Sequence, residues 1–384
     1  MAGLAVSVRL ARFEAALEGL ARKDRRRRLE PREGLDFASN DYLGLAASPR
    51  LTAAVQEAAA HGVPVGAAGS RLLRGNHREH EALEAEAASF FGAERALFFG
   101  QGFSANVALI RTLPQRGDLI VHDELIHASV HDGLRAARAE AIAAPHNDAT
   151  AVEDAIKAWR ARGGGGTPWI AAESLYSMDG DHAPVAELIA IAGRHDGFLL
   201  LDEAHATGVL GARGRGLSEG FESHEALIST HTCGKALGCS GALVTGPAAV
   251  VDFLVNRARP FIYATAPSPL VAAAVREALR IVDEEPERRA ALRARVDIAK
   301  RKLAALGLPT SGSQIQPVVL GRNARALGLA RRLKAAGFDC RAIRPPTVPE
   351  GTARLRVSLT LNVDEAQVAA LFDAIGEGLI EAAA

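Results

Sequence analysis

The chain has 384 residues, with 45 Lys+Arg balancing 45 Asp+Glu, 48% hydrophobic residues and 23% charged ones. That length and composition suit a globular protein of two or three domains and exclude a disordered one. A formal charge of zero excludes bulk binding of nucleic acid or anionic membrane, and no apolar run approaches the ~18 residues of a membrane span.

The N-terminus (MAGLAVSVRLARFEAALEGLARKDRRRR) reads as an amphipathic helix and a charged turn. Glu14 and Glu18 interrupt it and Ser is scarce, so it does not fit an organelle transit peptide. Cys233, Cys239 and Cys340 form neither an even disulfide framework nor a CxxC metal pair. A cytoplasmic location is therefore expected.

Strand-like runs follow at 96–99 (ALFF), 118–122 (DLIVH), 169–173 (WIAAE), 197–202 (GFLLLD), 226–230 (ALIST) and 241–246 (GALVTG). Helical periodicity fills 151–161 and 184–195 between them. Apolar strands flanked by helices predict a mostly parallel sheet in an α/β domain. GGGG at 163–166 reads as a surface loop. A long helical stretch from Pro269 to about Leu306 reads as a connector. QIQPVVL, a helix at 323–336, FDCRAIR, ARLRVSLT and a last helix at 363–381 then give a βαββα order, a smaller α+β domain.

Four stretches carry chemistry. Gly100-Gln-Gly102-Phe103-Ser104-Ala105 follows a strand and opens a helix, where free N–H groups suit a phosphate. It also matches the dinucleotide fingerprint G-x-G-x-x-A, with Asp123 or Glu124 after the next strand, so an NAD-dependent dehydrogenase stays open. Asp202-Glu203-Ala204-His205 ends another strand. A helicase reading of DEAH fails because no G-x-x-x-x-G-K-[ST] loop precedes it. Asp202 could pair with a cationic ring nitrogen, or simply cap the next turn.

Thr232-Cys233-Gly234-Lys235 lies between two apolar strands. The other five lysines (Lys23, Lys157, Lys300, Lys302 and Lys334) sit in helical or Arg-rich stretches, so Lys235 alone suits a Schiff-base role. His127, Glu173 and Ser177 also fall at strand ends. A lone histidine is more often structural, and His127 gains weight from that company.

The order SNDYLGL, GSRLLRGNHREHEALE, GFSAN, HAS, ESLYSMDGD, LDEAHATGVLG, TCGK and IRPPTVPEGTARLRVSLT resembles the α-oxoamine synthase family of fold-type I enzymes dependent on pyridoxal 5'-phosphate (PLP), from about Phe37 to Thr360. The segment 343–356 is most similar to members that join L-alanine to a pimeloyl thioester in biotin biosynthesis, the acyl group riding on coenzyme A or an acyl carrier protein. The lysine motif departs from the common SKAFG as GKALG, and Ser240-Gly241 replaces a frequent Gly-Gly.

The resemblance implies an N-terminal helix and arm over 1–39, a large PLP-binding domain over 40–270, and a connector with a small α+β domain over 271–384. It implies that Lys235 carries PLP, Asp202 pairs with the ring nitrogen, His205 contacts the ring oxygen and His127 stacks on the ring. Gly102, Phe103 and Thr232 would hold the phosphate, with Ser177 in the same pocket and Thr265 (YATAP) reaching it across a homodimer interface. Arg26, Asn40, His127, Glu173, Arg344 and Thr347 would contact substrate. No metal, nucleic acid or membrane partner is implied.

Overall fold

The computed structural model describes residues 8–381. In chain order the elements are α1 (Val8–Arg22), β1 (Leu35–Asp36), α2 (Pro49–Ala60), α3 (Arg78–Phe91), β2 (Arg95–Phe99), α4 (Gly102–Thr112), β3 (Leu119–Asp123) and α5 (Ala128–Ala136). Next come β4 (Glu140–Ala144), α6 (Ala149–Ala161), β5 (Pro168–Glu173), α7 (Val185–Arg194), β6 (Phe198–Asp202), β7 (Leu227–Thr232) and β8 (Ala242–Gly246). The last third holds α8 (Ala248–Arg257), α9 (Arg259–Ile262), α10 (Pro269–Glu284), α11 (Pro286–Ala305), β9 (Ile315–Gly321), α12 (Asn323–Ala335), β10 (Phe338–Asp339), β11 (Arg341–Ile343), β12 (Ala353–Ser358) and α13 (Glu365–Glu381).

Two compact units form. The larger spans 40–293 with 360–362, and the smaller joins the residues up to 39 with 294–359 and those from 363. The boundary expected at residue 270 therefore falls inside α11. The reason is α10, which belongs to the large unit: Arg276 pairs with Glu79 and Glu86 of α3 at 2.6 Å each. The long connector is also two helices, since Pro286 cannot continue α10 and instead starts α11.

The large unit is built on a seven-stranded sheet in the order β2-β8-β7-β6-β5-β3-β4. Strands β4, β3, β5, β6 and β7 run parallel, and β8 is antiparallel to both its neighbours. Successive residues point to opposite faces. Leu200 and Ile228 join α4, α5 and α8 in one core, while Leu199, Leu201 and Leu227 join α6 and α7 in the other. Both faces are thus buried, which is why these strands read as apolar runs.

The sequence reading missed β4, an alanine-rich edge strand that is largely exposed. GGGG is more than a surface loop, because Gly164 lies against Trp159, where an added Cβ would come within 2.3 Å of the ring. In the small unit β9, β12 and β11 form an antiparallel sheet, and β1 pairs in parallel with β10.

Candidate active site

Parallel strands align their carboxyl ends, and open α/β sheets bind ligands at that edge. Here the edge collects Asp123 from β3, Glu173 from β5, Asp202 from β6 and Thr232 from β7, with the α4 N-terminus following β2. Lys235 sits in the β7–β8 connection, which is closed by hydrogen bonds from Cys233 N–H to the Gly241 carbonyl and from Cys239 N–H to the Cys233 carbonyl, both 2.9 Å.

Lys235 Nζ lies 2.8 Å from His205 Nε2. On the other side of that ring, Tyr42 Oη is 2.6 Å from Nδ1 and donates to Asn40 Oδ1 at 3.0 Å. Tyr42 is fully buried and His205 nearly so. Asn40, expected to touch substrate, thus anchors the far end of this chain.

Asp202 is also held. Its Oδ2 accepts from Asn106 Nδ2 at 2.6 Å and its Oδ1 from Ala204 N–H at 2.9 Å. The second hydrogen of that amide goes to Ser129 Oγ at 3.0 Å, which in turn lies 2.8 Å from His127 Nδ1. His127 caps α5 and meets Phe103 edge-on, ring centres 6.4 Å apart. Burial first, and then the charge of Lys235, hold His127 below its ordinary range despite the opposing charge of Asp202. That shift favours the neutral form of the imidazole.

Glu173 is in direct register with Asp202 across β5 and β6, and its Oε2 accepts from Ser177 N–H at 3.1 Å. Gly102 starts α4 so close to Thr232 that a Cβ there would sit 2.6 Å from the threonine hydroxyl oxygen. A glycine is needed at this approach, and it leaves the hydroxyl beside the first N–H groups of the helix. That pairing is an anion cradle.

Thr265 is exposed and makes no hydrogen bond among the described residues. Arg26, Arg344 and Thr347 belong to the small unit. There Arg26 and Arg344 line a groove of about 710 Å³ with Arg27, Arg28, Lys334 and Arg341. Arg27 donates to Thr347 Oγ1 at 2.9 Å, and Arg344 donates to the Asp24 carbonyl. Burial, and then Arg27, draw the Arg344 guanidinium below its ordinary range.

Two sequence alternatives fail. Asp123, the acid a dinucleotide fold would offer to a ribose, is spent on His146 Nδ1 at 2.9 Å and on the N–H groups of Asn147 and Leu125 at 2.8 Å each. The antiparallel β8 inside the sheet also breaks the all-parallel dinucleotide order. Glu203 of DEAH is a buried structural acid, accepting from Ser174 Oγ at 2.5 Å, Ser218 N–H at 2.7 Å and Leu217 N–H at 3.1 Å.

The pattern of the family "Aminotransferase class I and II" matches residues 32–375. An 8-amino-7-oxononanoate synthase of Chromobacterium violaceum is 43% identical over 349 residues, 90% of this chain and 89% of its own. One of Aromatoleum aromaticum is 45% identical over 337 residues, 87% and 86% of the two chains. This chain belongs to the 8-amino-7-oxononanoate synthase family. Among solved structures, the 8-amino-7-oxononanoate synthase of Francisella tularensis superposes with a TM-score of 0.77 at 28% identity, covering 91% of this chain and 99% of that one. A serine palmitoyltransferase with PLP bound superposes with a TM-score of 0.87 at 25% identity, covering 98% of each.

For a member of the 8-amino-7-oxononanoate synthase family, the donor set fits PLP on its own chemistry. A carboxylate, an anion cradle, a lysine and a neutral imidazole share one edge, and Glu173 Oε1 there is buried without a hydrogen-bond partner. Tyr42, Asn106 and Ser129 escaped the sequence reading. All three do stand inside motifs of the chain, Tyr42 in SNDYLGL, Asn106 in GFSAN and Ser129 in HAS. No helix among the described residues is long and apolar enough to cross a membrane.

Proposed function

We propose that this chain, as a PLP-dependent acyltransferase, condenses L-alanine with a pimeloyl thioester to give 8-amino-7-oxononanoate, CO2 and the free carrier thiol, in biotin biosynthesis. The 43% identity to an 8-amino-7-oxononanoate synthase over 90% of the chain carries this reading. When bound, PLP supplies an electron sink for a carbanion at the α-carbon of the amino acid.

This chain's own residues do the rest. Asp202 holds the ring nitrogen, and its negative charge keeps a proton there. Lys235 is the attachment lysine, and its Nζ then takes the α-proton of alanine. Thr232 and the N–H groups of Gly102 and Phe103 hold the phosphate, with Ser177 beside them. His205 would bind the ring oxygen, and His127 would contact the ring and help orient the amino acid. Arg344 holds the carboxylate of alanine, and Arg26, Asn40 and Thr347 complete the substrate contacts. Two copies of the chain share each site, Thr265 of one reaching the phosphate in the other. The cytoplasm suits three free thiols.

Incubation of the purified chain with PLP, L-alanine and either pimeloyl-CoA or pimeloyl-acyl carrier protein tests this directly. Mass spectrometry is expected to find 8-amino-7-oxononanoate, with one CO2 released per turnover. Turnover of L-serine with palmitoyl-CoA in preference to alanine would overturn the substrate assignment. Borohydride reduction should place the pyridoxyl label on Lys235, and Lys235→Ala should lose both label and turnover.

A further inference from the structure

Glu173 and Asp202 end neighbouring parallel strands as register partners, so two carboxylates meet at the sheet edge. Glu173 is 2% exposed and Asp202 9%. Their surroundings differ. Asp202 receives a side-chain amide and a backbone N–H on its two oxygens. Glu173 receives only the Ser177 N–H on Oε2, and Oε1 is buried with no hydrogen-bond partner among the described residues.

Two adjacent anions in so dry a place repel, and the proton settles on the one with fewer donors. The charged and titratable groups around Glu173 are Asp202 on β6, Asp123 on β3, Lys235 after β7 and Tyr176 just after β5. Burial first, and then Asp202, push its carboxyl up to about 8 against the pull of Lys235. Tyr176 stays neutral through burial and the charge of Asp123.

We infer that Glu173 stays protonated at neutral pH and donates from Oε1 directly to an anionic oxygen entering the site, leaving the single negative charge of the pair on Asp202. The acceptor oxygen belongs to the cofactor or to the substrate carboxylate, and only that identity rests on the proposed function. The arrangement explains how two side-by-side acids can serve a site that needs one fixed anion.

The test uses the holoenzyme and two variants, Glu173→Gln, whose amide keeps a neutral donor, and Glu173→Met, which keeps the reach and loses the donor. Infrared difference spectra of wild type minus Glu173→Gln should show a protonated-carboxyl band at pH 6.5 that fades as the pH passes about 8. Glu173→Gln should bind PLP and L-alanine within about twofold of wild type, and Glu173→Met should bind one of them about tenfold more weakly. Loss of PLP affinity assigns the acceptor to the cofactor, and loss of alanine affinity assigns it to the substrate. Absence of the band at pH 6.5, or Glu173→Met binding both ligands as Glu173→Gln does, would overturn the inference. An error in the proposed function would appear separately, as a wild-type chain that binds no PLP or alanine yet keeps the band.

Discussion

Lys235 Nζ and His205 Nε2 share a 2.8 Å hydrogen bond whose direction is set by a residue neither touches in sequence. Tyr42 uses its proton on Asn40 Oδ1, so its oxygen must accept from His205 Nδ1–H. His205 Nε2 is then left with a lone pair, and an ammonium can only donate to it. The donors run one way, from Lys235 through His205 and Tyr42 to Asn40.

Tyr42→Phe should therefore weaken catalysis without touching either ligand. Deleting the hydroxyl removes the acceptor for a buried N–H, a loss of about 1–3 kcal/mol, and frees His205 to change tautomer. The expected outcome is a kcat about tenfold lower with the KM for alanine nearly unchanged. A kcat equal to wild type would show that the tautomer of His205 is fixed by other contacts.

Asp202→Asn should separate binding from chemistry. The amide removes the charge, and its NH2 must face either the Asn106 amide or the Ala204 N–H, both of them donors. PLP affinity should fall modestly, whereas turnover should fall by about 10²–10³-fold, the scale seen when a fixed electrostatic contact to a transition state is lost. Equal losses in both would refute the role given to its charge.

His146 gives a pH dependence of stability. Burial opposes its charge, but hydrogen bonds to Asp123 at 2.9 Å and Asp181 at 2.8 Å win and raise it to about 10. An unfolded histidine titrates near 6.5. A raised folded value means the stabilisation is complete below about 6.5 and is lost as the pH climbs to about 10. Thermal melting of wild type and His146→Gln from pH 6 to 10 should show a gap that closes with rising pH. A constant gap would contradict the assignment.

Thr265→Ala addresses the shared site. One hydrogen bond to a charged phosphate is worth about 1.5–3 kcal/mol, so PLP affinity should drop at least tenfold and the dimer should loosen with it. Sedimentation with PLP titration reads both. A fall in melting temperature alone would mean that the hydroxyl merely caps the turn before Pro267. A fully active wild-type monomer would remove the shared site.

The sequence made some of this legible for physical reasons. Strands buried on both faces, such as Leu199–Leu201, leave uninterrupted apolar runs, and Lys235, Asp202 and His205 could be located by the strands they follow. Strand β4 has one poorly covered edge and no such signature. Tyr42 lies 163 residues from His205, and Asn106 lies 96 residues from Asp202. Their roles exist only once the chain has closed on itself, so no local pattern announces them.

The pairing of Leu35 with Phe338 and of Asp36 with Asp339 sets an order for biogenesis. At about 5–20 residues per second, a ribosome needs roughly 15–60 seconds to make the segment between those partners. Throughout that interval the N-terminal arm has no strand to join, while residues 40–293 emerge as a nearly continuous block able to build its own sheet. The lysine-bearing unit can thus mature on the nascent chain, and the N-terminal arm meets its partner strand only after synthesis is almost finished.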